Sequence, residues 1–192
     1  MAVIGAILGD IAGSQFEFNR PENLDYKHCE LFTSRCSYTD DTIMTLAVKK
    51  AILENADFTK TMREVGQPYP YSGYGGRFYE WMYGENPKPY NSFGNGSAMR
   101  VSFVGEHFDA LEDVISMAEK SAEVTHNHPE GIKGAVVTAV CIWMARHGKT
   151  KEDILFRIIQ ESITNALRHG HATEVHIHLY QENHFLYLKI QD

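Results

Sequence analysis

The stretch YTDDTIMTLAV at residues 38–48 places two adjacent aspartates at the start of a predicted helix. Apolar residues then recur every three or four positions, which is the spacing of a buried helix face, and predict a helix over 42–55 (Ile43, Ala47, Val48, Ala51 and Ile52). The aspartates and flanking threonines offer the hard oxygen ligands that magnesium or calcium prefers (Thr39, Asp40, Asp41 and Thr42). Helix capping explains the motif more simply when it is taken alone. One aspartate is enough for a cap, however, and two side by side repel unless a cation lies between them, so both interpretations stay open.

Two further acids lie upstream. The apolar, glycine-rich segment 2–11 predicts a buried and tightly packed helix. Asp10 lies among alanine, isoleucine, leucine and glycine, where a carboxylate needs a partner or a metal. Glu17 follows seven residues later, which would place both acids on one helix face if the helix continued that far. A functional role and a role at the end of the helix are both open for each acid.

Two polar loops downstream carry further candidate residues. The segment NSFGNGSAMR at 91–100 is rich in glycine and asparagine, and such loops expose backbone amides that can cradle a phosphate. It matches neither the P-loop nor the dinucleotide-binding fingerprint, so an ordinary turn is the simpler interpretation. The segment THNHP at 125–129 holds two imidazoles, but no cysteine or third histidine lies near at zinc-like spacing. A hydrogen-bonded polar loop therefore explains this segment better than a metal site.

The remaining pattern is mostly helical. A long segment at 66–96 is dense in glycine, proline, tyrosine and asparagine, and predicts a functional loop with a short helix around 78–82. Helical spacing returns in three later segments, at 111–122, 132–143 and 154–167. Thr150 and Asp153 resemble a capping box that opens the last of them.

The last segment changes period. Apolar and polar residues alternate over 175–180 and again over 185–190, and residues 181–184 between them suit a turn. This alternation predicts a β-hairpin. The predicted fold class is therefore mainly α: a compact helical bundle with a C-terminal helix and a β-hairpin.

Composition and charge limit the classes of partner. The chain of 192 residues carries 18 basic against 25 acidic residues, a formal net charge of −7, so no basic surface argues for nucleic acid. The apolar start at 1–8 is too short for a membrane helix and is interrupted by Asp10, so no membrane role is expected. Three cysteines without paired spacing predict reduced thiols in a cytoplasmic protein, rather than disulfides or zinc ligands.

Five segments, in this order, resemble the ADP-ribosylglycohydrolase family: GAILGDIAGSQFEF (5–18), YTDDTIMTLAV (38–48), YSGYGGRFYEWM (71–82), NSFGNGSAMRVSFVG (91–105) and AEVTHNHPEGIKGA (122–135). The resemblance spans about residues 1–155 and is specific because the segments occur together. It implies a helical domain with magnesium bound in a cleft. It also implies hydrolysis of the N- or O-glycosidic bond between ADP-ribose and an acceptor, either a protein side chain or a small molecule.

The resemblance also implies roles for individual residues. Thr39, Asp40 and Asp41 correspond to the ligands of one or two Mg²⁺ ions. Glu17 corresponds to the acid/base glutamate of the family and forms the implied catalytic group with the two aspartates. The implied contacts to ADP-ribose, or to an ADP-ribosylated substrate, come from the glycine loop and the Thr-His pair (Asn91, Gly94, Asn95, Gly96, Ser97, Thr125 and His126).

One departure from the family concerns its second acidic motif. The family continues to an Asp-x-Asp-Thr sequence that completes its metal site, and none follows Asp153. With one acidic cluster, a magnesium ion keeps most of its waters and binds weakly. The sequence therefore predicts a truncated bundle in which hydrolysis is impaired and a second ion lacks ligands. The alternative is a protein that binds ADP-ribose without catalysis, or a structural remnant of the family.

The C-terminal segment resembles a different family. QESITNALRHG at 160–170, followed by the predicted strands, is similar to the N-box region of a histidine-kinase ATPase domain, in which the asparagine, here Asn165, contacts magnesium-ATP. The next nucleotide motif and the glycine-rich lid do not follow, so ATP binding by this segment alone is not expected. The predicted domains are a helical domain at 1–155 and a helix with hairpin at 156–192 packed on it. The exposed edge of the hairpin would invite homodimerisation.

Overall fold

The computed structural model describes residues 1–18, 21, 24–25, 28–168, 174–182 and 185–191. The helices in these ranges are α1 (Ala2–Ser14), α2 (Asp40–Leu53), α3 (Phe58–Gly66), α4 (Gly76–Tyr83), α5 (Gly96–Met99), α6 (Ser102–His107), α7 (Leu111–Glu123), α8 (Pro129–Arg146) and α9 (Lys151–Arg168). The strands are β1 (His176–Glu182) and β2 (Phe185–Gln191). The prediction of a mainly α fold with a terminal helix and hairpin is confirmed.

The chain divides into two compact units, Met1–Trp143 and Met144–Asp192. This division falls within the last turn of α8. The predicted boundary between the two family-like segments, at 155–156, lies inside α9 and stays a prediction. None of the helices in the described ranges has both the length and the continuous apolar character of a membrane span.

Helix α2 is the centre of the first unit. It contacts α1, α3, α5 and α6, and Met44, Ala47 and Val48 on its apolar face are fully buried. Each large apolar side chain removed from water contributes roughly 1.5–3 kcal/mol to stability. Of the apolar positions predicted from the sequence, Ile43, Ala47, Val48 and Ala51 are buried and Ile52 is half-buried, whereas the buried Met44 was not among them.

Helix α2 begins two residues before its predicted start. Thr39 has the extended backbone of an N-cap, with φ of −121°, and its side chain accepts a hydrogen bond from the Asp41 amide. Asp40 and Asp41 form the first turn, where negative charge opposes the helix dipole favourably. Because Thr39 serves as the cap, both aspartate side chains are left for other roles.

Helix α1 is longer than predicted but still ends before Glu17. It closes at Ser14, and hydrogen bonds from Phe16 N to Gly13 O and from Glu17 N to Ser14 O turn the chain after it. The condition under which Asp10 and Glu17 would share one helix face is therefore not met. Glu17 lies exposed in the turn that follows the helix.

Gly105 marks a close approach of α6 to α8. A Cβ atom at Gly105 would lie 2.4 Å from the carbonyl oxygen of Ala139 and 2.8 Å from Cβ of Ile142. The Ala139 oxygen is a backbone atom of α8, and the Ile142 Cβ is bonded directly to that backbone. Neither atom can therefore move aside without moving the helix. Only a residue without a side chain fits between these helices.

Gly105→Ala is expected to lower the free energy of unfolding by about 1–3 kcal/mol, because the added methyl group overpacks this contact. Urea unfolding at neutral pH measures the change. Gly5→Ala is the matched control, since Gly5 also lies inside a helix but has no atom within 4 Å of an added Cβ. There the helix propensity of alanine should raise stability by up to about 1 kcal/mol. Equal effects of the two substitutions would contradict the close packing at Gly105.

In the second unit, helix α9 begins at the predicted capping box. The Thr150 amide donates to Asp153 Oδ2 at 3.1 Å, and the Asp153 amide donates to Thr150 Oγ1 at 3.2 Å. The two bonds satisfy donors that the first turn of a helix cannot satisfy internally. The predicted helix start is therefore confirmed, whereas the side chain of Asn165 further along α9 lies outside the described residues.

The predicted hairpin is also confirmed. Strands β1 and β2 pair antiparallel, with Ile177 opposite Ile190 and Leu179 opposite Leu188. The alternation that predicted the strands is kept by this register, because residues two apart lie on one face of a sheet. Residues 183–184 of the predicted turn lie outside the described residues.

Candidate functional site

Asp10 holds the amino terminus of α2 against α1. Its Oδ1 accepts a hydrogen bond from Thr39 Oγ1 at 2.6 Å, and its Oδ2 accepts bonds from Thr39 N at 2.8 Å, Thr42 N at 3.2 Å and Thr42 Oγ1 at 2.5 Å. Both carboxylate oxygens are therefore occupied by donors from the first turn of α2. The sequence left open a functional role and a role at a helix end for Asp10. The structure supports the second, because Asp10 accepts hydrogen bonds at the start of α2 rather than at the end of its own helix.

The same contacts place Asp40 and Asp41 side by side in an acidic surrounding. Burial raises the pKa of Asp40 to about 6, and the charges of Asp41, Glu17 and Asp10 add to this effect. Burial also raises the pKa of Asp41, with contributions from Asp10 and Glu17. Ionising both carboxylates in this cluster is electrostatically unfavourable, and a cation bound between them would remove that cost.

The two aspartates face two different pockets. Asp41 lines a pocket of about 720 Å³ at the carboxyl end of α1, here called the carboxylate pocket, together with Asp10, Glu17 and Asn95. Asp40 lines a pocket of about 320 Å³, here called the loop pocket. The other walls of the loop pocket come from the start of α4, the glycine loop and the Thr-His segment (Arg77, Tyr90, Gly94, Asn95, Gly96, Arg100 and His126). Asn95 belongs to both pockets, so they adjoin at the tip of the glycine loop.

Most of the residues implied by the family resemblance come together at these pockets. They are Glu17, Asp40, Asp41, Gly94, Asn95, Gly96 and His126. Segments far apart in the chain therefore meet around the amino terminus of α2. Thr39 lies immediately behind the aspartates, where its hydroxyl donates to Asp10 and accepts from the Asp41 amide.

Ser97 and Asn91, which the resemblance implies as contacts to substrate, line neither the carboxylate pocket nor the loop pocket. Ser97 is fully buried, and its hydroxyl donates to the carbonyl oxygen of Gly131 at 2.6 Å. The Asn91 amide donates to Asn127 Oδ1 at 2.7 Å, and its backbone has a positive φ of 54°. Their contacts fasten the two ends of the glycine loop to the Thr-His segment and to α8.

His126 is buried at the back of the loop pocket. Its Nδ1 lies 2.7 Å from Thr125 Oγ1, and Arg100 Nη2 donates to the same oxygen at 2.8 Å. Burial lowers the pKa of His126 to about 4, and the positive charge of Arg100 adds to the effect. His126 is therefore neutral at physiological pH.

Two arginines of the loop pocket received no role from the sequence. Arg100 is completely buried, and Arg77 donates to the Tyr90 carbonyl oxygen with its guanidinium 4.8 Å from the Tyr90 ring centre. A signal for Arg100 was present, because it stands among the apolar residues Ala98, Met99 and Val101, where a buried cation needs partners. Arg77 carried no comparable signal, because an arginine in a loop is usually solvated.

The side chains at Asp40 and Asp41 can supply some, but not all, of the ligands of a magnesium ion. Mg²⁺ commonly binds one or two carboxylates and fills its other positions with water and substrate oxygens. Asp40 and Asp41 supply two carboxylates, and Thr39 Oγ1 keeps one lone pair after its two hydrogen bonds. Within the described residues, no group of three or more histidine, cysteine, aspartate or glutamate side chains is arranged to hold a metal. The donor set therefore suits an ion that keeps most of its waters.

Comparison with protein families finds a match over residues 1–183 to the model described as ADP-ribosylglycohydrolase. This range extends beyond residue 155, where the resemblance seen in the sequence ends. Among curated proteins, the chain is 29% identical to ADP-ribosylhydrolase ARH3 of Homo sapiens over 181 residues, which is 78% of this chain and 50% of that protein. It is 27% identical to ADP-ribosylhydrolase ARH3 of Xenopus tropicalis over 177 residues, 77% of this chain and 50% of that protein. The chain thus spans about half the length of these relatives.

A short match of a second kind is also found. Over 41 residues, 21% of this chain, it is 51% identical to Sensor protein VraS of Staphylococcus aureus (strain COL), of which the match covers 12%. A short histidine-kinase-like segment was expected from the resemblance at residues 160–170. The match is too small a part of the sensor protein to carry over its activity.

Proposed function

The chain belongs to the ADP-ribosylglycohydrolase family, and on this premise we propose that it hydrolyses the N- or O-glycosidic bond between ADP-ribose and a protein side chain or small molecule. The observation that supports this most is the position of Asp40 and Asp41. The two adjacent carboxylates face two adjoining pockets, one acidic and one lined by a glycine loop. A ribose that carries a diphosphate has the same two parts, one that becomes positive during cleavage and one that is anionic.

The carboxylate pocket is suited to the ribose. Cleavage at C1″ builds positive charge on the sugar, and the negative charges of Asp41 and Glu17 lower the energy of that charge. Glu17 is exposed at the pocket wall, so it can orient or deprotonate the attacking water. We propose Glu17, Asp40 and Asp41 as the catalytic group.

Asp40 and Asp41, with Thr39 behind them, would hold Mg²⁺. When bound, this ion supplies a hard Lewis acid that fixes ribose hydroxyls and a water molecule near C1″. The raised pKa values of both aspartates support this role, because a divalent cation offsets the two causes, burial of the carboxylates and the negative charges beside them. Asp10 holds the helix that carries both ligands, without contributing an oxygen of its own.

The loop pocket is suited to the diphosphate. The chain has a net charge of −7, so long-range attraction does not bring a phosphate to it and local groups must bind it. Gly94, Asn95 and Gly96 supply backbone at the pocket wall, Arg77 supplies a positive charge, and His126 supplies a neutral imidazole. We propose that Ser97 and Asn91 position this loop rather than touch the ligand.

The proposal is tested with the full chain and with peptides that carry ADP-ribose on arginine or on serine. Mass spectrometry measures released ADP-ribose in Mg²⁺ and in EDTA, and calorimetry measures binding of free ADP-ribose. We expect release only in Mg²⁺, and its loss in Glu17→Gln. Binding of ADP-ribose without release would support instead the non-catalytic alternative. Neither binding nor release would contradict both functions.

Localisation and assembly are further parts of the proposal. All three cysteines are thiols, which supports a reducing compartment and hence the cytoplasm. The hairpin is a two-stranded sheet, so each strand has an edge that can pair with another chain. We propose that this edge allows a homodimer, for which the molar mass in solution, with and without residues 174–192, is the test.

A further inference from the structure

Among the described residues, the imidazole ring of His126 has a hydrogen-bond partner at Nδ1 and none at Nε2. Its Nδ1 lies 2.7 Å from Thr125 Oγ1, while the opposite edge of the ring faces the glycine loop. A Cβ at Gly96 would lie 3.0 Å from His126 Cε1 and 3.2 Å from Nε2. The Cε1–Nε2 edge therefore lies against Gly96 in the wall of the loop pocket, so Nε2 is the ring nitrogen next to this wall. Whether it carries a proton decides whether His126 can donate a hydrogen bond there.

The proton on this ring follows from its partners. A guanidinium only donates hydrogen bonds, so the bond from Arg100 Nη2 to Thr125 Oγ1 fixes that oxygen as an acceptor. The single proton of the Thr125 hydroxyl is then left to donate, and Nδ1 of His126 lies within reach at 2.7 Å. Because Thr125 is fully buried, a hydroxyl proton without an acceptor would be costly. Nδ1 must therefore accept, and a neutral ring carries its proton on Nε2.

We propose that Arg100 and Thr125 are positioning residues that hold His126 in the Nε2–H tautomer, so that it donates a hydrogen bond to a ligand oxygen in the loop pocket. The identity of that ligand as ADP-ribose rests on the proposed function, whereas the tautomer does not. Arg100 lies in the wall of the loop pocket but its side chain is fully buried, so it acts on the ligand through Thr125 and His126.

The surroundings of Arg100 support a role beyond packing. Its Nη2 also donates to the Ser121 carbonyl oxygen at 2.8 Å, and the guanidinium lies 5.9 Å from the Phe78 ring centre. Its Nε and Nη1 are buried and have no hydrogen-bond partner in the part of the chain that the structure describes. Nη2 bonds only to a carbonyl and a hydroxyl, so the residues described here give this cation no carboxylate. Burying a cation without a negative partner costs free energy of folding. The positive charge of Arg100 also disfavours a second proton on His126.

The tautomer can be measured directly by NMR. Long-range ¹H–¹⁵N correlation spectra of the ¹⁵N-labelled full chain distinguish protonated from unprotonated ring nitrogens, and the signals that disappear in His126→Gln identify this ring among ten histidines. We expect an unprotonated Nδ1 and a protonated Nε2, unchanged from pH 7.5 to about pH 5.5. A protonated Nδ1 of His126 in the wild-type protein overturns the proposal, whatever the Thr125 variants do.

Two variants of Thr125 separate positioning from simple packing. Thr125→Val has nearly the same shape but no hydroxyl, whereas Thr125→Ser keeps the hydroxyl and loses a methyl group. We expect Thr125→Val to shift the ring towards the Nδ1–H tautomer and to weaken ADP-ribose binding about tenfold, as loss of one well-placed hydrogen bond does. Thr125→Ser should keep the wild-type tautomer and affinity.

The outcomes distinguish this proposal from the function on which it rests. A wild-type tautomer in Thr125→Val overturns the positioning role, whatever the activity of the protein. The expected tautomers together with no ADP-ribose binding by the wild-type protein would leave the positioning pair intact and contradict the proposed ligand. Loss of affinity in Thr125→Val and Thr125→Ser alike, with both tautomers unchanged, would assign Thr125 to packing.

Discussion

Asp40→Asn is expected to reduce Mg²⁺-dependent release of ADP-ribose at least about 100-fold while making the metal-free protein more stable. The loss of activity follows from removing one of the two adjacent carboxylates proposed to hold the ion. Even mutation of a residue that only hydrogen-bonds to a metal ligand commonly lowers metal affinity or activity about 10- to 100-fold. The gain in stability follows from the electrostatics of the cluster. Asparagine at position 40 is uncharged, so it places no negative charge beside Asp41, Glu17 and Asp10.

The sign and the pH range of the stability change follow from the pKa of Asp40, which the fold raises from about 3.8 to about 6. The folded protein then favours the protonated carboxyl, so this contribution is fully present below pH 3.8 and is lost as the pH rises through 6. A shift of this size corresponds to about 3 kcal/mol at most. Because the site is open to solvent, we expect about 1–2 kcal/mol.

Urea unfolding at pH 4 and pH 7, in EDTA and in Mg²⁺, measures both effects. We expect the metal-free wild-type protein to lose stability between these pH values and Asp40→Asn to lose less. Magnesium should stabilise the wild-type protein at pH 7 and leave Asp40→Asn unchanged. Glu112→Gln is the control for charge removal, because Glu112 is an exposed acid in the first turn of α7. A metal-free Asp40→Asn protein that is less stable than the wild type at pH 7 would show that the cluster carries no repulsion.

Asp10→Ala is expected to lower the free energy of unfolding by about 2–4 kcal/mol and to reduce activity as well. It removes four hydrogen bonds that a carboxylate accepts from Thr39 and Thr42, and leaves two amides at the start of α2 without this partner. Since Asp40 and Asp41 form the same helical turn, their placement depends on these bonds. Denaturant unfolding and the ADP-ribose release assay measure the two effects.

Two variants test this explanation. Asp10→Asn keeps the shape and one acceptor oxygen, so its cost should be intermediate. Asp57→Ala removes a cap of the ordinary kind, a single bond from the Lys60 amide to Asp57 Oδ1 at 2.7 Å at the start of α3. It should cost about 1 kcal/mol and leave activity unchanged, because neither pocket at Asp40 and Asp41 includes it. If Asp10→Ala costs no more than Asp57→Ala, Asp10 does not hold the site.

Elements whose signals are local could be predicted from the amino-acid sequence alone. The apolar spacing of Ile43, Ala47 and Val48 predicted α2, alternation predicted β1 and β2, and Thr150 with Asp153 predicted the start of α9. Each of these patterns acts through contacts within a few residues, or through the fixed period of a helix or strand, and the chain carries that information without knowing its fold. The family resemblance added the residues that gather at the two pockets.

How those residues are used depends on the fold, which brings together groups that are distant in the chain. Asp10 finds its partners 29 and 32 residues away, and Ser97 donates to a carbonyl 34 residues away. Arg100 reaches Thr125 across 25 residues and so fixes the hydrogen bonding of His126. Which polar groups become neighbours depends on how the helices pack, and packing is set by buried surface rather than by the polar residues themselves. For that reason the sequence left the role of Asp10 open and gave Arg100 none, whereas the fold assigned both.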